Sequence, residues 1–143
     1  MRILFDTNVV LDVLLDREPY SSTAAKLFSK VESGKISGYV CATTITTIHY
    51  LASRVIGVNS AVKEISNLMK LFEVAPVNRA VLEAAVSLGF KDFEDAVLHE
   101  SARYREAQGI VTRDLSGFKK SKIQVYSPEE LLLMLESKDT SES

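Results

Sequence analysis

At 143 residues and 46 % hydrophobic content, the chain has apolar mass for one core and too little length for two, so one domain is expected. The formal charge of −2 argues against holding nucleic acid by overall charge but excludes little else, because a local basic patch or a bound cation could still do so. The lone Cys41 excludes an internal disulfide. Asp6 interrupts the first apolar run before it could act as a signal or a membrane span, so a soluble, cytoplasmic protein with no membrane partner is expected.

Arg2-Ile3-Leu4-Phe5 is a run of β-formers that ends in Asp6-Thr7-Asn8, and Val9 to Leu15 then carries helical spacing. Arg17-Glu18-Pro19 breaks the pattern, and Ser21-Ser22 is expected to cap a helix that buries Ala24, Ala25, Leu27, Phe28 and Val31 and stops at Gly34. Tyr39-Val40-Cys41 predicts a second strand, and Thr43 to Arg54 a helix whose β-branched first turn runs against propensity. A helix follows from Asn59 to Leu71, then a brief strand from Glu73 to Pro76, then a helix capped by Asn78 and ending near Gly89. Lys91-Asp92-Phe93-Glu94-Asp95 precedes a helix reaching about Gln108. Gly109 to Asp114 is another apolar strand ending in an acid, and Ile123 to Tyr126 is the last strand. Ser127-Pro128-Glu129-Glu130 reads as a capping box with proline at the first helical position, opening a helix over Glu129 to Glu136. The domain is thus expected over 1–136, with a flexible polar tail at 137–143. Strands alternating with helices predict right-handed crossovers and an α/β sandwich whose central sheet is mostly parallel.

Asp6, Asp95 and Asp114 are the acids that such a fold could bring to the C-terminal edge of the sheet, where ligands bind in open parallel sheets. Unpaired carboxylates held together raise one another's pKa unless a divalent cation neutralises them, and oxygen ligands without a His or Cys cluster suit Mg²⁺ or Mn²⁺. Such an ion supports phosphodiester hydrolysis with water as nucleophile. Either strand-end aspartate alone reads equally well as a cap or turn residue. Asp92, three residues before Asp95, suits an N-cap as well as a second ligand. Asp12, Asp16 and Glu94 read as solvated helix-face charges. His99, one turn beyond Asp95, could reach the site, although packing is the commoner role for such a residue. Thr7, Asn8 and Thr112 are short polar neighbours able to orient a carboxylate or to cap backbone. Arg113, Lys119, Lys120 and Lys122 flank the Asp114 strand end and could meet phosphates there.

Three segments together, Asp6-Thr7-Asn8-Val9-Val10-Leu11-Asp12, Lys91-Asp92-Phe93-Glu94-Asp95-Ala96-Val97 and Val111-Thr112-Arg113-Asp114-Leu115-Ser116-Gly117-Phe118, resemble the PIN domain, in particular the small prokaryotic VapC-type toxins. The resemblance implies a three-layer α/β/α sandwich, an acidic pocket, Mg²⁺ or Mn²⁺ and endonucleolytic cleavage of RNA. Residue by residue it carries metal binding and catalysis onto Asp6, Asp95 and Asp114 and orienting roles onto Asn8 and Thr112; Asp92 as a catalytic helper, Arg113 as a substrate contact and Thr47 as a neutral residue in the pocket are expected from their positions in this sequence. It also implies an antitoxin partner that fills the acidic groove and a homodimer, with the helix from Asn59 to Leu71 as candidate surface.

The segment Thr43-Thr44-Ile45-Thr46-Thr47-Ile48-His49-Tyr50 fits the family's pattern after the second strand, except that Thr47 stands where an acid is usual. A hydroxyl is a weaker ligand and removes one negative charge, so metal affinity should fall. The competing reading is a degenerate PIN domain serving as an RNA- or protein-binding module. A phosphohydrolase that phosphorylates Asp6 is disfavoured, because Asn8 replaces the second acid such enzymes carry.

Overall fold

The computed structural model describes residues 1–142, with side chains through residue 138. β1 (Arg2–Phe5), β2 (Ser37–Cys41), β3 (Glu73–Ala75), β4 (Gly109–Val111) and β5 (Gln124–Tyr126) form one sheet in the order β3-β2-β1-β4-β5, with every pairing parallel. A parallel sheet is covered on both faces, so its strands must be apolar on both sides. Alternation along the central strands meets that demand: Ile3, Phe5, Val40 and Val111 enter one core cluster, while Leu4, Tyr39, Cys41 and Ile110 enter another.

The first cluster is closed by α1 (Thr7–Leu14), α2 (Ser21–Glu32), α4 (Val58–Leu71) and α7 (Pro128–Glu142), through Val9, Val10, Leu27, Leu68 and Leu131. At its centre Phe5, Phe28 and Phe72 meet edge to face, with ring centroids 5.0 to 5.9 Å apart. The opposite face is covered by α6 (Phe93–Tyr104), which supplies Leu98 and Ala102, and by Phe118. α5 (Arg79–Ser87) packs beyond α6 through Val81 and Ala85. α3 (Ala42–Ile56) leaves the end of β2 and turns back at Gly57, whose φ of +86° suits glycine, into α4. The architecture is the expected three-layer α/β/α sandwich.

Several boundaries differ from the sequence expectation. α2 begins after Tyr20 with no side-chain cap; Ser21 is buried and its hydroxyl donates to Glu18 Oε1 at 3.3 Å. α6 stops at Tyr104 because Glu106 takes φ +56° and the Gln108 N–H is drawn to Arg2 O at 2.8 Å, beside β1. The segment from Thr43 is helical from Ala42, with tertiary packing of Thr44, Ile48 and Ala52 overriding β-propensity. The capping box is present: Ser127 N–H donates to Glu130 Oε1 and Glu130 N–H to Ser127 Oγ, both at 3.1 Å. α7 continues to Glu142, past the expected end at Glu136, so the backbone of 137–142 is helical and Ser143 lies outside the described residues.

Candidate active site

The chain runs from β1 to β2 on one side of the sheet, while β4 joins β1 on the other. The crevice outside the C-terminal ends of β1 and β4 is therefore the topological switch point, where such sheets bind ligands. Asp6 ends β1 there, and its N–H donates to Val111 O at 3.0 Å. It caps α1, accepting from Thr7 N–H at 2.7 Å on Oδ1, so the capping reading holds. Its Oδ2 is held by the Thr112 hydroxyl at 2.7 Å and lies 3.5 Å from Asn8 Nδ2. Thr112 Oγ1 in turn accepts from Asp114 N–H at 3.0 Å and from Asn8 Nδ2 at 3.3 Å. One buried hydroxyl thus ties the two strand-end aspartates into a single arrangement.

Asp95 comes from the first turn of α6, whose start is fixed by Asp92: its Oδ1 accepts from Glu94 N–H at 2.8 Å and Asp95 N–H at 3.3 Å. Asp114 makes the corresponding contacts at the 3₁₀ turn Leu115–Phe118, accepting from Ser116 Oγ at 2.8 Å and Gly117 N–H at 3.3 Å. A Cβ added at Gly117 would stand 2.8 Å from Asp95 Oδ2 and 2.9 Å from Asp114 Oδ2. Those oxygens converge on the same space beside Gly117, and a side chain there would have to push one or both of them aside. A cavity of about 390 Å³ opens beside it, lined among others by Phe90, Lys91, Asp92, Asp95, Asp114 and Lys120.

Electrostatics report the same convergence. Burial raises the Asp6 pKa first of all; the Thr112 and Thr7 hydrogen bonds oppose this, and Asp114 and Glu94 add to it. Asp95 is pushed up to about 7, by burial first and then by Asp6, Asp92, Asp114 and Glu94. Among the described residues, no group of three or more His, Cys, Asp or Glu side chains is placed to hold a metal ion. The donor set fits a hard divalent cation: it is all oxygen, and the carboxylate oxygens of Asp95 and Asp114 both face the space beside Gly117.

Other candidates are engaged elsewhere. Buried His99 accepts Lys122 N–H on Nε2 at 3.0 Å, which leaves Nδ1 to donate to Glu100 Oε2 at 3.1 Å, and burial lowers its pKa. It fastens the loop before β5 to α6. Thr47 Oγ1 donates back to Thr43 O at 3.2 Å, while buried Thr44 accepts from the Thr7 hydroxyl at 3.2 Å. The reading of Asp12 as solvated is corrected: it is 0 % exposed and bonded by Arg17 and Arg113. Arg113 is accordingly committed to Asp12 and stacked on Tyr20 rather than free to meet phosphate.

The chain belongs to the PIN domain family, whose profile (PIN_3: PIN domain) matches residues 2–116. Among characterised relatives it is similar to Ribonuclease VapC1 of Aquifex aeolicus, with 25 % identity over 134 residues, covering 90 % of this chain and 92 % of that protein. Among solved structures it resembles DNA-bound VapBC from Salmonella typhimurium, with TM-score 0.69 and 14 % identity over 90 % of this chain and 98 % of that one. A toxin-antitoxin complex from Klebsiella pneumoniae gives TM-score 0.68 and 19 % identity over 88 % and 97 %. These structural likenesses establish the fold. Among the described residues no helix is long and apolar enough to cross a membrane.

Proposed function

We propose that the protein is a metal-dependent endoribonuclease that hydrolyses RNA phosphodiester bonds and acts as the toxin of a toxin-antitoxin pair. The observation that carries this reading is that Asp95 and Asp114 line one cavity, while Asp6, at the end of β1, is near enough for its charge to raise the Asp95 pKa. These three would hold Mg²⁺ or Mn²⁺, which when bound supplies Lewis acidity toward a phosphate oxygen and lowers the pKa of water. Thr112 and Asn8 orient Asp6, and Asp92 fixes the α6 turn that carries Asp95. Lys91, Lys119 and Lys120, which line the same cavity, offer cationic contacts to flanking phosphates. The named function of the VapC1 relative supports the substrate class. The antitoxin partner is supported by the toxin-antitoxin neighbour, and a homodimer by exposed Val55, Val58, Val62 and Met69 on α3 and α4.

The test is incubation of the purified chain with end-labelled RNA across Mn²⁺ and Mg²⁺ concentrations, with chelator as control. Internal cleavage that chelator abolishes is expected. Intact RNA at every metal concentration would favour the second reading, a degenerate binding module, for which Thr47 in the usual acid's place is the motive.

Two variants probe the metal site. Thr47→Glu adds a carboxylate to the α3 turn beside Thr44 and should tighten Mn²⁺ binding by about tenfold, read by calorimetric titration; unchanged affinity would place Thr47 outside the site. Gly117→Ala fills the notch between Asp95 and Asp114 and should weaken Mn²⁺ binding by at least about tenfold with little change in melting temperature. Wild-type affinity in that variant would contradict the notch as part of the metal site.

A further inference from the structure

We propose that Asp12 and Arg113 are positioning residues, a clamp from α1 that holds segment 112–114 in register at the acidic cavity; its catalytic consequence rests on the ribonuclease reading above. Arg113 lies between Thr112 and Asp114 in the chain, and α1 grips it at two points. Its N–H donates to Asn8 Oδ1 at 3.2 Å, and its guanidinium makes a two-pronged contact with Asp12, Nε to Oδ2 at 2.7 Å and Nη2 to Oδ1 at 3.1 Å. Asn8 and Asp12 are one turn apart on α1, so one helix face fixes both the backbone and the side chain of residue 113.

The partners of this pair are themselves fixed. Asp12 also accepts from Arg17 Nε at 2.9 Å, and Arg17 Nη2 donates to Asn8 O at 3.1 Å, which ties the α1–α2 turn to the same group. The Arg113 guanidinium carbon sits 3.9 Å from the Tyr20 ring centroid. The Asp12 side chain is 1 % exposed, against 28 % for Arg113 and 38 % for Arg17. A carboxylate so buried is tolerated only when paired and fully hydrogen-bonded, so the geometry around it is stiff. The fork contact is directional in a way that a point charge is not.

The clamp does two things for the site. With Arg113 fixed, the Asp114 N–H keeps its bond to Thr112 Oγ1, the same hydroxyl that holds Asp6. It also keeps a guanidinium adjacent in sequence to Asp114 turned toward Asp12, away from carboxylates it would otherwise neutralise.

The experiment compares wild type, Asp12→Asn, Arg113→Lys and the double variant by amide hydrogen exchange and by steady-state cleavage of labelled RNA with Mn²⁺. Protection of the Arg113 and Asp114 amides should fall at least about tenfold in each single variant, while Ile110 in β4 keeps wild-type protection. The value of kcat should fall at least about tenfold with KM within about twofold, and the double variant should be no worse than either single one. Wild-type protection at residues 113 and 114, equal loss through β4, additive effects, or full retention by Arg113→Lys would each overturn the clamp. A wild-type chain that cleaves no RNA defeats the ribonuclease reading alone, because the exchange result still decides whether the clamp exists.

Discussion

Asp114→Asn is expected to lower Mn²⁺-dependent RNA cleavage by at least about 100-fold, beyond what is usual for losing a residue that merely supports a metal ligand. The substitution keeps shape and leaves an oxygen to accept from Ser116 Oγ and Gly117 N–H, so the 3₁₀ turn should survive. What it removes is one of the negative charges meeting at the cavity. The fold should not suffer, because Asp114 is one of the charges that push Asp95 up to about 7. The variant should therefore melt at or above the wild-type temperature without metal, and its Asp95 should titrate lower. Asp6→Asn should lose cleavage comparably, since it removes the charge that Thr112 and Thr7 hold in place. Cleavage within about tenfold of wild type in both variants would remove the acids from the chemistry.

The largest effect on stability is expected from Phe5→Ala, at about 3–5 kcal/mol. Phe5 is fully buried at the end of β1, and its ring meets Phe28 of α2 at 5.9 Å and Phe72, after α4, at 5.0 Å. Truncation leaves a cavity on which three elements converge, with little freedom to collapse around it. Because Phe5 precedes Asp6, the same change loosens the strand end that presents the first acid. Denaturant unfolding should show a lower midpoint with a similar slope; a loss under about 1 kcal/mol would mean that the aromatic cluster contributes little.

Much of this architecture was legible in the order of residues, for reasons that can be traced. Apolar runs ending in Asp6 and shortly before Asp114 mark β1 and β4, and their burial on both faces needs the uninterrupted hydrophobicity seen in Ile3-Leu4-Phe5 and Ile110-Val111. Ser127 to Glu130 announces α7 because a capping box is a local interaction, complete within four residues. The start of α2 was misread for the converse reason: Ser21 is a good cap by type, but packing buries it. The candidate acids were visible because each stands where an element begins or ends.

Asp12 was not, since a carboxylate on a helix face reads as solvated unless its partners are known, and Arg113 is 101 positions away. The commitment of Arg113 to Asp12, the notch at Gly117 and the turning of His99 toward Lys122 N–H are all tertiary facts. They depend on which strand lies beside β1, and only the sheet order supplies that.

The most direct test of the central claim is a calorimetric Mn²⁺ titration of the wild-type chain beside Asp114→Asn. Saturable binding in the wild type, tightening as pH rises through about 7 while Asp95 sheds its proton, and its loss in the variant are expected. Equal binding by both chains, or none by either, would contradict the claim that these carboxylates jointly hold a divalent cation.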